Sequence, residues 1–155
     1  MAATGSYIGF VDSDDYLSVD YYEELVNVIV HGDVDIATCG YYFDNSGKIT
    51  IAKNKEKVPT EPMKTTSFFA YMYERDTYKG VGSYLWTRLI KRELIKKSDG
   101  TLETFFKKEY GGIDDIVFVA EVSLKSNNIQ YIDKPLYYYF QREGSIVHDD
   151  YMQLN

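Results

Sequence analysis

Three carboxylates within four residues, Asp12-Ser13-Asp14-Asp15, end a short apolar run, Tyr7-Ile8-Gly9-Phe10-Val11. Like charges packed this closely repel one another, so they are comfortable only where solvent, a hydrogen-bond donor or a divalent cation neutralises them. Oxygen-only donors of this kind suit Mn²⁺ or Mg²⁺. Asp and Ser also make turns and cap helices, which is the purely local reading of the same residues. An EF-hand loop starting at Asp12 is excluded, because it needs Gly where Leu17 stands and an oxygen ligand where Tyr16 stands.

A second acidic pair, Asp114-Asp115, follows Gly111-Gly112-Ile113. It stands at a predicted helix start, where the dipole and unpaired N–H groups favour a carboxylate, so an N-cap is the structural reading. The functional reading rests on its neighbours: two glycines that permit close approach, and Ile113, which can strip water from the acids. A carboxylate there can take a proton from an incoming hydroxyl. The dipole is expected to keep its pKa low and make it a modest base.

Other chemically able residues are few. His148 stands in the tail and reads as exposed rather than as a ligand. Cys39 is the single cysteine, which excludes an intrachain disulfide and a cysteine zinc cluster and reads as a buried thiol in a cytosolic or cytosol-facing protein. The 16 tyrosines include the run Tyr137-Tyr138-Tyr139, whose members must alternate faces in a strand, so at least one turns away from the core. Tyrosine's flat apolar face and hydroxyl suit sugar clefts and protein interfaces alike.

The elements that position these residues follow from pattern. The run before Asp12 has no helical spacing and reads as a buried strand, with the acids at its carboxyl end, where open α/β sheets bind ligands. A helix is predicted over Val19 to His31, with Tyr22, Leu25, Val26 and Ile29 inward and Gly32 as its stop. Val34 to Phe43 reads as a strand, turned by Asn45-Ser46-Gly47 into a partner over Lys48 to Ala52. Lys53 to Lys64, with Pro59 and Pro62, is a loop, and Thr65 or Thr66 caps a helix carrying Phe68, Phe69 and Met72. Tyr84 to Ile90 is predicted as a strand leading into a short helix through Leu94 and Ile95. A helix from Asp114 to Lys125 turns Phe118, Val122 and Leu124 inward, and Ile129 to Ile132 and Leu136 to Gln141 form two strands around Asp133-Lys134-Pro135. The pattern is α/β.

At 155 residues and 45% hydrophobic content, residues 1–155 are expected to form a single domain with a stable core. A net charge of −7 argues against sequence-independent nucleic-acid binding and against attraction to anionic lipid. No segment has the apolar length of a membrane span, and Met1 opens no signal-peptide pattern.

In order along the chain, Ala3 to Leu17 around the D-x-D acids, Leu85-Trp86-Thr87-Arg88-Leu89-Ile90-Lys91-Arg92, Gly112-Ile113-Asp114-Asp115-Ile116-Val117-Phe118 and Leu136 to Ile146 together resemble glycosyltransferase family 2. The resemblance implies a GT-A-like mixed sheet flanked by helices. It also implies that the amino-terminal nucleotide-binding half of the family fold is not in this sequence, which starts almost at the D-x-D strand. It assigns Asp12 and Asp14 to a divalent cation, Mn²⁺ or Mg²⁺, bridging the diphosphate of a nucleotide-sugar donor, with Asp15 as an alternative ligand. It makes Asp115 the base and Asp114 its partner where the family usually has Glu-Asp, and puts Trp86 and Tyr138 in contact with substrate.

The implied reaction is inverting transfer to a saccharide or other hydroxyl acceptor in cell-surface polysaccharide synthesis, in the cytoplasm or at the inner membrane face. The missing half is expected to leave the edge at Tyr7, Phe10 and Val11 open for self-association. Two other classes share some of these features. A haloacid-dehalogenase-type phosphatase also opens with a strand running into D-x-D, with Asp12 as nucleophile and Asp14 as acid. A noncatalytic saccharide-binding module needs only the acceptor surface.

Overall fold

The computed structural model describes residues 3–73, 80–97, 100–102 and 113–141. Its elements in chain order are β1 (Tyr7–Gly9), β2 (Tyr16–Leu17), α1 (Tyr21–Gly32), β3 (Ile36–Asn45), β4 (Lys48–Ile51), β5 (Met63–Lys64), α2 (Thr65–Tyr73), β6 (Arg88–Lys91), α3 (Asp114–Lys125) and β7 (Asn128–Phe140). Two 3₁₀ turns, Leu85–Thr87 and Arg92–Ile95, flank β6. The strands form one sheet in the order β1-β6-β3-β7-β2, with β4 paired to β3 and β5 to β7.

β3 is the spine because its apolar run, buried continuously from Ile36 to Tyr41, can satisfy its backbone only with neighbours on both sides. It pairs parallel with β7 and antiparallel with β6 and β4. Ser46 and Gly47 both take positive φ, 51° and 95°, which is the two-residue hairpin geometry that Gly permits. Each face of the sheet carries a core. On one, α2 and α3 bring Phe68, Met72, Phe118 and Val122 onto Ile8, Ile36, Ile90 and Ile129. On the other, α1 lays Tyr21, Leu25 and Ile29 against Ala37, Cys39, Leu89 and Leu136. Each Leu, Ile, Val, Phe or Met among them, fully buried, contributes about 1.5–3 kcal/mol. Among the described residues no helix is long and apolar enough to cross a membrane.

Several boundaries differ from the sequence expectation for identifiable reasons. β1 lies at the sheet edge, and of its residues only Ile8 is buried. α1 buries Tyr21 rather than Tyr22, and the left-handed residue ending it is Asp33 (φ 46°), after Gly32. Tyr84 to Thr87 does not extend as a strand; Leu85–Thr87 is a 3₁₀ turn whose apolar residues are buried by their surroundings rather than by a ladder. Leu124 is 71% exposed and Val119 takes the inward place. The two carboxy-terminal strands are one, β7, because Asp133-Lys134-Pro135 forms an irregularity opposite Gly40 instead of a turn. Proline tolerates this position because the ladder is already broken there. Cys39 is fully buried as expected, its Sγ–H directed at the Thr87 carbonyl (3.5 Å), and burial pushes its pKa up to about 12.

Candidate active site

Between β1 and β2 the chain must pass from one edge of the sheet to the other, and the acids lie on that crossing. Phe10 anchors its start edge-on against Phe118 of α3, with ring centroids 5.3 Å apart. The crossing then folds into a turn in which the Asp15 amide donates to the Asp12 carbonyl (3.1 Å). β2 follows at once, pairing Tyr16 with Tyr138 and Leu17 with Tyr137.

The turn is held from below by β7. Tyr137, 0% exposed, accepts a hydrogen bond from the Asp12 amide (3.1 Å) and donates its own proton to Asp15 Oδ2 (2.6 Å). The Phe140 amide donates to the other Asp15 oxygen (2.8 Å). Both oxygens of Asp15 are thus engaged by β7. Asp12 and Asp14 are solvent-exposed.

The Leu85–Thr87 turn supplies a second wall. The Trp86 ring stacks with those of Tyr84 (4.8 Å), Tyr137 (4.4 Å) and Tyr139 (5.7 Å), with Tyr41 edge-on at 4.8 Å. Tyr21 donates from its hydroxyl to the Trp86 carbonyl (2.8 Å). Behind the turn lies Arg88, 1% exposed, whose guanidinium donates to the carbonyls of Tyr84, Gly82 (2.8 Å) and Val81 (3.5 Å).

The third wall is the start of α3. Its N-cap is Ile113, with no side-chain cap, so Asp114 and Asp115 occupy the first turn rather than the capping position. The Ile116 amide donates to Asp115 Oδ1 (2.7 Å). The three walls enclose a pocket of about 360 Å³ lined by Phe10, Val11 and Asp12, by Leu85 and Trp86, and by Asp114 and Asp115.

Its electrostatics are those of crowded acids. Although Asp12 reaches solvent, it sits in a concave wall, and loss of hydration raises its pKa, with further upward pushes from Asp15, Asp14 and Asp115. Asp115 is half-buried, and burial raises its pKa too; the Ile116 amide works against this and Asp114 adds to it. The helix dipole was expected to hold this carboxyl low, but at this depth desolvation wins. Burial likewise raises Asp15, with the Tyr137 and Phe140 donors opposing.

Among the described residues no three His, Cys, Asp or Glu side chains are arranged to hold a metal. The donor chemistry nevertheless fits a hard cation: two aspartates in one turn, under mutual repulsion, of the kind that binds Mg²⁺ when substrate phosphates and water complete the shell.

The pocket thus brings together Asp12, Asp114, Asp115 and Trp86, four of the residues singled out by type and motif. Asp14 and Asp15 do not line it, and Tyr138 is elsewhere. Alternation puts it on the sheet face opposite Tyr137, stacked between Tyr16 (4.5 Å) and Tyr42 (4.6 Å). Gly111-Gly112, His148 and the segment Arg142 to Ile146 lie outside the described residues. The Tyr137 hydroxyl and the Arg88 guanidinium were not anticipated as parts of the site. Strand alternation signalled only that Tyr137 and Tyr138 would part company.

The chain matches Glycosyl transferase family 2 over residues 1–98. It is 27% identical over 153 residues to the uncharacterized glycosyltransferase EpsJ of Bacillus subtilis (strain 168), covering 97% of this chain and 42% of EpsJ. To the glycosyltransferase GlyA of Streptococcus pneumoniae serotype 4 it is 30% identical over 151 residues, covering 92% of this chain and 20% of GlyA. The chain therefore spans less than half the length of these relatives. The crystal structure of S. aureus TarS 1–349 in complex with UDP-GlcNAc superposes with a TM-score of 0.67 at 20% identity, covering 92% of this chain and 37% of that one, a likeness of fold. With the α/β architecture and the family match over residues 1–98 agreeing, the chain belongs to glycosyltransferase family 2.

Proposed function

We propose that this domain works as the metal- and acceptor-side part, from the D-x-D strand onward, of an inverting glycosyltransferase. It would take a nucleotide-diphosphate sugar as donor and a saccharide or other hydroxyl compound as acceptor, in cell-surface polysaccharide synthesis at the cytoplasmic side of the membrane. The observation that carries this reading is that Asp12 and Asp115, from distant segments, face one pocket. Asp115 accepts the proton of the acceptor hydroxyl as that oxygen attacks the anomeric carbon, and its raised pKa suits it to do so. Asp114 supports the helix start. Asp12 and Asp14 would hold the divalent cation, which when bound neutralises charge on the departing nucleoside diphosphate. Trp86, 7% exposed and stacked with three tyrosine rings, has little ring face left on which a sugar could stack.

The direct test is Mn²⁺ titration of the chain beside an Asp12→Ala/Asp14→Ala variant. Binding is expected in the first and lost in the second, and equal affinity in both would remove the cation from this site.

β1 pairs with β6 alone among the described strands, and Val11 beside it is 43% exposed. Tyr7 and Phe10, expected to lie open here, are instead packed against the two cores, which leaves Val11 as the exposed apolar side chain beside this edge; an edge strand with unpaired backbone groups recruits further strands. We expect the isolated chain to self-associate through β1. Light scattering over a concentration series should show a rising mean mass; a monomer throughout would refute this.

A further inference from the structure

The acidic turn is closed by a backbone bond from the Asp15 amide to the Asp12 carbonyl, and three further hydrogen bonds tie it to β7. Tyr137 is placed to supply two of them. Its ring is immobilised at the sheet, 4.4 Å from the Trp86 ring and 6.4 Å from that of Tyr21, so its hydroxyl has little freedom of position. That one oxygen serves both ends of the turn, accepting from the Asp12 amide and donating to the Asp15 carboxylate. A phenol with its proton committed to a carboxylate has its lone pairs directed at the remaining donor, which fixes the direction of both bonds. Burial and the neighbouring Asp15 both raise the Tyr137 pKa, so the proton stays on the phenol throughout the physiological range.

We propose that Tyr137 is the positioning residue of the acidic turn and that Asp15 is its anchor, not a metal ligand. The inference rests on the reading of Asp12 and Asp14 as the cation-binding pair and specifies how that pair is held. Asp15 spends one oxygen on the Tyr137 hydroxyl and the other on the Phe140 amide, and in doing so ties the carboxyl end of the turn to β7. The Asp12 amide, tied to the same phenol, fixes the other end. The Asp12 side chain is thereby directed into the pocket shared with Asp115.

The contrast with a ligand role is chemical. Replacing Asp15 by Asn presents the phenol with an amide. If that amide's NH₂ faces Tyr137, the hydroxyl is flanked by two donors and its own proton has no acceptor. If it is flipped, the Phe140 amide loses its acceptor. Either way the turn is disturbed through Tyr137 or β7 rather than through a lost metal bond.

The test uses the 155-residue chain and two readouts: hydrogen exchange of the Asp12 amide by NMR, which needs no metal, and Mn²⁺ affinity by electron paramagnetic resonance. Tyr137→Phe keeps the stacked ring and removes the hydroxyl. It is expected to speed Asp12 amide exchange about tenfold, the equivalent of one ordinary hydrogen bond, while core amides of β3 stay protected. Mn²⁺ affinity should weaken by a similar factor. Asp15→Asn should weaken Mn²⁺ binding in the wild-type background and add little in the Tyr137→Phe background.

Unchanged Asp12 exchange in Tyr137→Phe overturns the proposal. So does an Asp15→Asn loss of Mn²⁺ affinity that is equally large in both backgrounds, which would make Asp15 a ligand. Should Tyr137→Phe lose protection everywhere, Asp15→Asn alone decides through the Asp12 amide, with faster exchange supporting the anchor and unchanged exchange refuting it. A wild-type chain that fails to bind Mn²⁺ refutes the cation reading, and the exchange measurement still decides the anchor.

Discussion

With Asp115 as the proposed base, Asp115→Asn is expected to lower turnover of a glycosyltransferase containing this domain by about 10²-fold or more, because the amide keeps the shape of the carboxylate and cannot take a proton. Donor affinity should change little, since the donor diphosphate is assigned to Asp12 and Asp14. The pH profile gives the stricter check. A base acts only when deprotonated, and burial raises the Asp115 pKa from its ordinary 3.8. Activity should therefore fall as the pH drops through this raised value, and the Asn variant should lack that limb. Asp114→Asn should leave the limb in place, and if it proves the more damaging change the two roles are exchanged.

The same shift has a stability consequence of definite sign. A carboxyl whose folded pKa lies above its unfolded value binds more protons in the folded state between the two. Its stabilising contribution is full below the unfolded value and is lost as the pH rises through the folded one. Asp12, Asp15 and Asp115 all shift in this direction. At neutral pH the site is thus held together against its own charge by the hydrogen bonds of β7 and α3. A divalent cation between Asp12 and Asp14 would relieve that repulsion, which is a second reason to expect one there.

Much of this was legible in the sequence because it rests on local pattern. The alternation and apolar runs that make β3, α1 and α3 are short-range signals, and the limits of α3, Asp114 to Lys125, agree residue for residue with the helix predicted there. Asp12 and Asp115 stand out in the sequence by residue type and spacing, and the fold brings these two to one pocket, while Asp14 does not line it. What stayed hidden depends on contacts between distant segments. Asp133-Lys134-Pro135 has the composition of a turn, and only pairing with β3 on one side keeps it within a strand. Trp86 lies in an apolar run typical of strands, but the Arg88 side chain gathers carbonyls of the preceding loop and bends the run into a 3₁₀ turn. Asp15 looks like one acid of three, and its distinct place is set by Tyr137, far along the chain.

Arg88 carries the other large expected effect. A guanidinium that is 1% exposed, with no carboxylate of the described residues in ion-pair contact and its Nε without a partner, is expensive to bury, and desolvation lowers its pKa to about 10. It remains charged at neutral pH, so the cost is borne for what its other nitrogens do, which is to satisfy the carbonyls of Val81, Gly82 and Tyr84 and fix the loop that presents Trp86. Arg88→Ala removes these donors and opens a cavity, and each orphaned carbonyl costs about 1–3 kcal/mol, so a loss of about 3 kcal/mol or more in unfolding free energy is expected. Arg88→Met separates the two causes, since it fills most of the space without donating. If carbonyl gathering is the role, the Met variant should still melt earlier than the wild type. Trp86, the single tryptophan of the chain, should become more accessible to acrylamide quenching as the loop loosens. A Met variant with wild-type stability and unchanged quenching would show instead that the buried charge was a burden the fold does not need, and that Trp86 is held by its tyrosine neighbours alone.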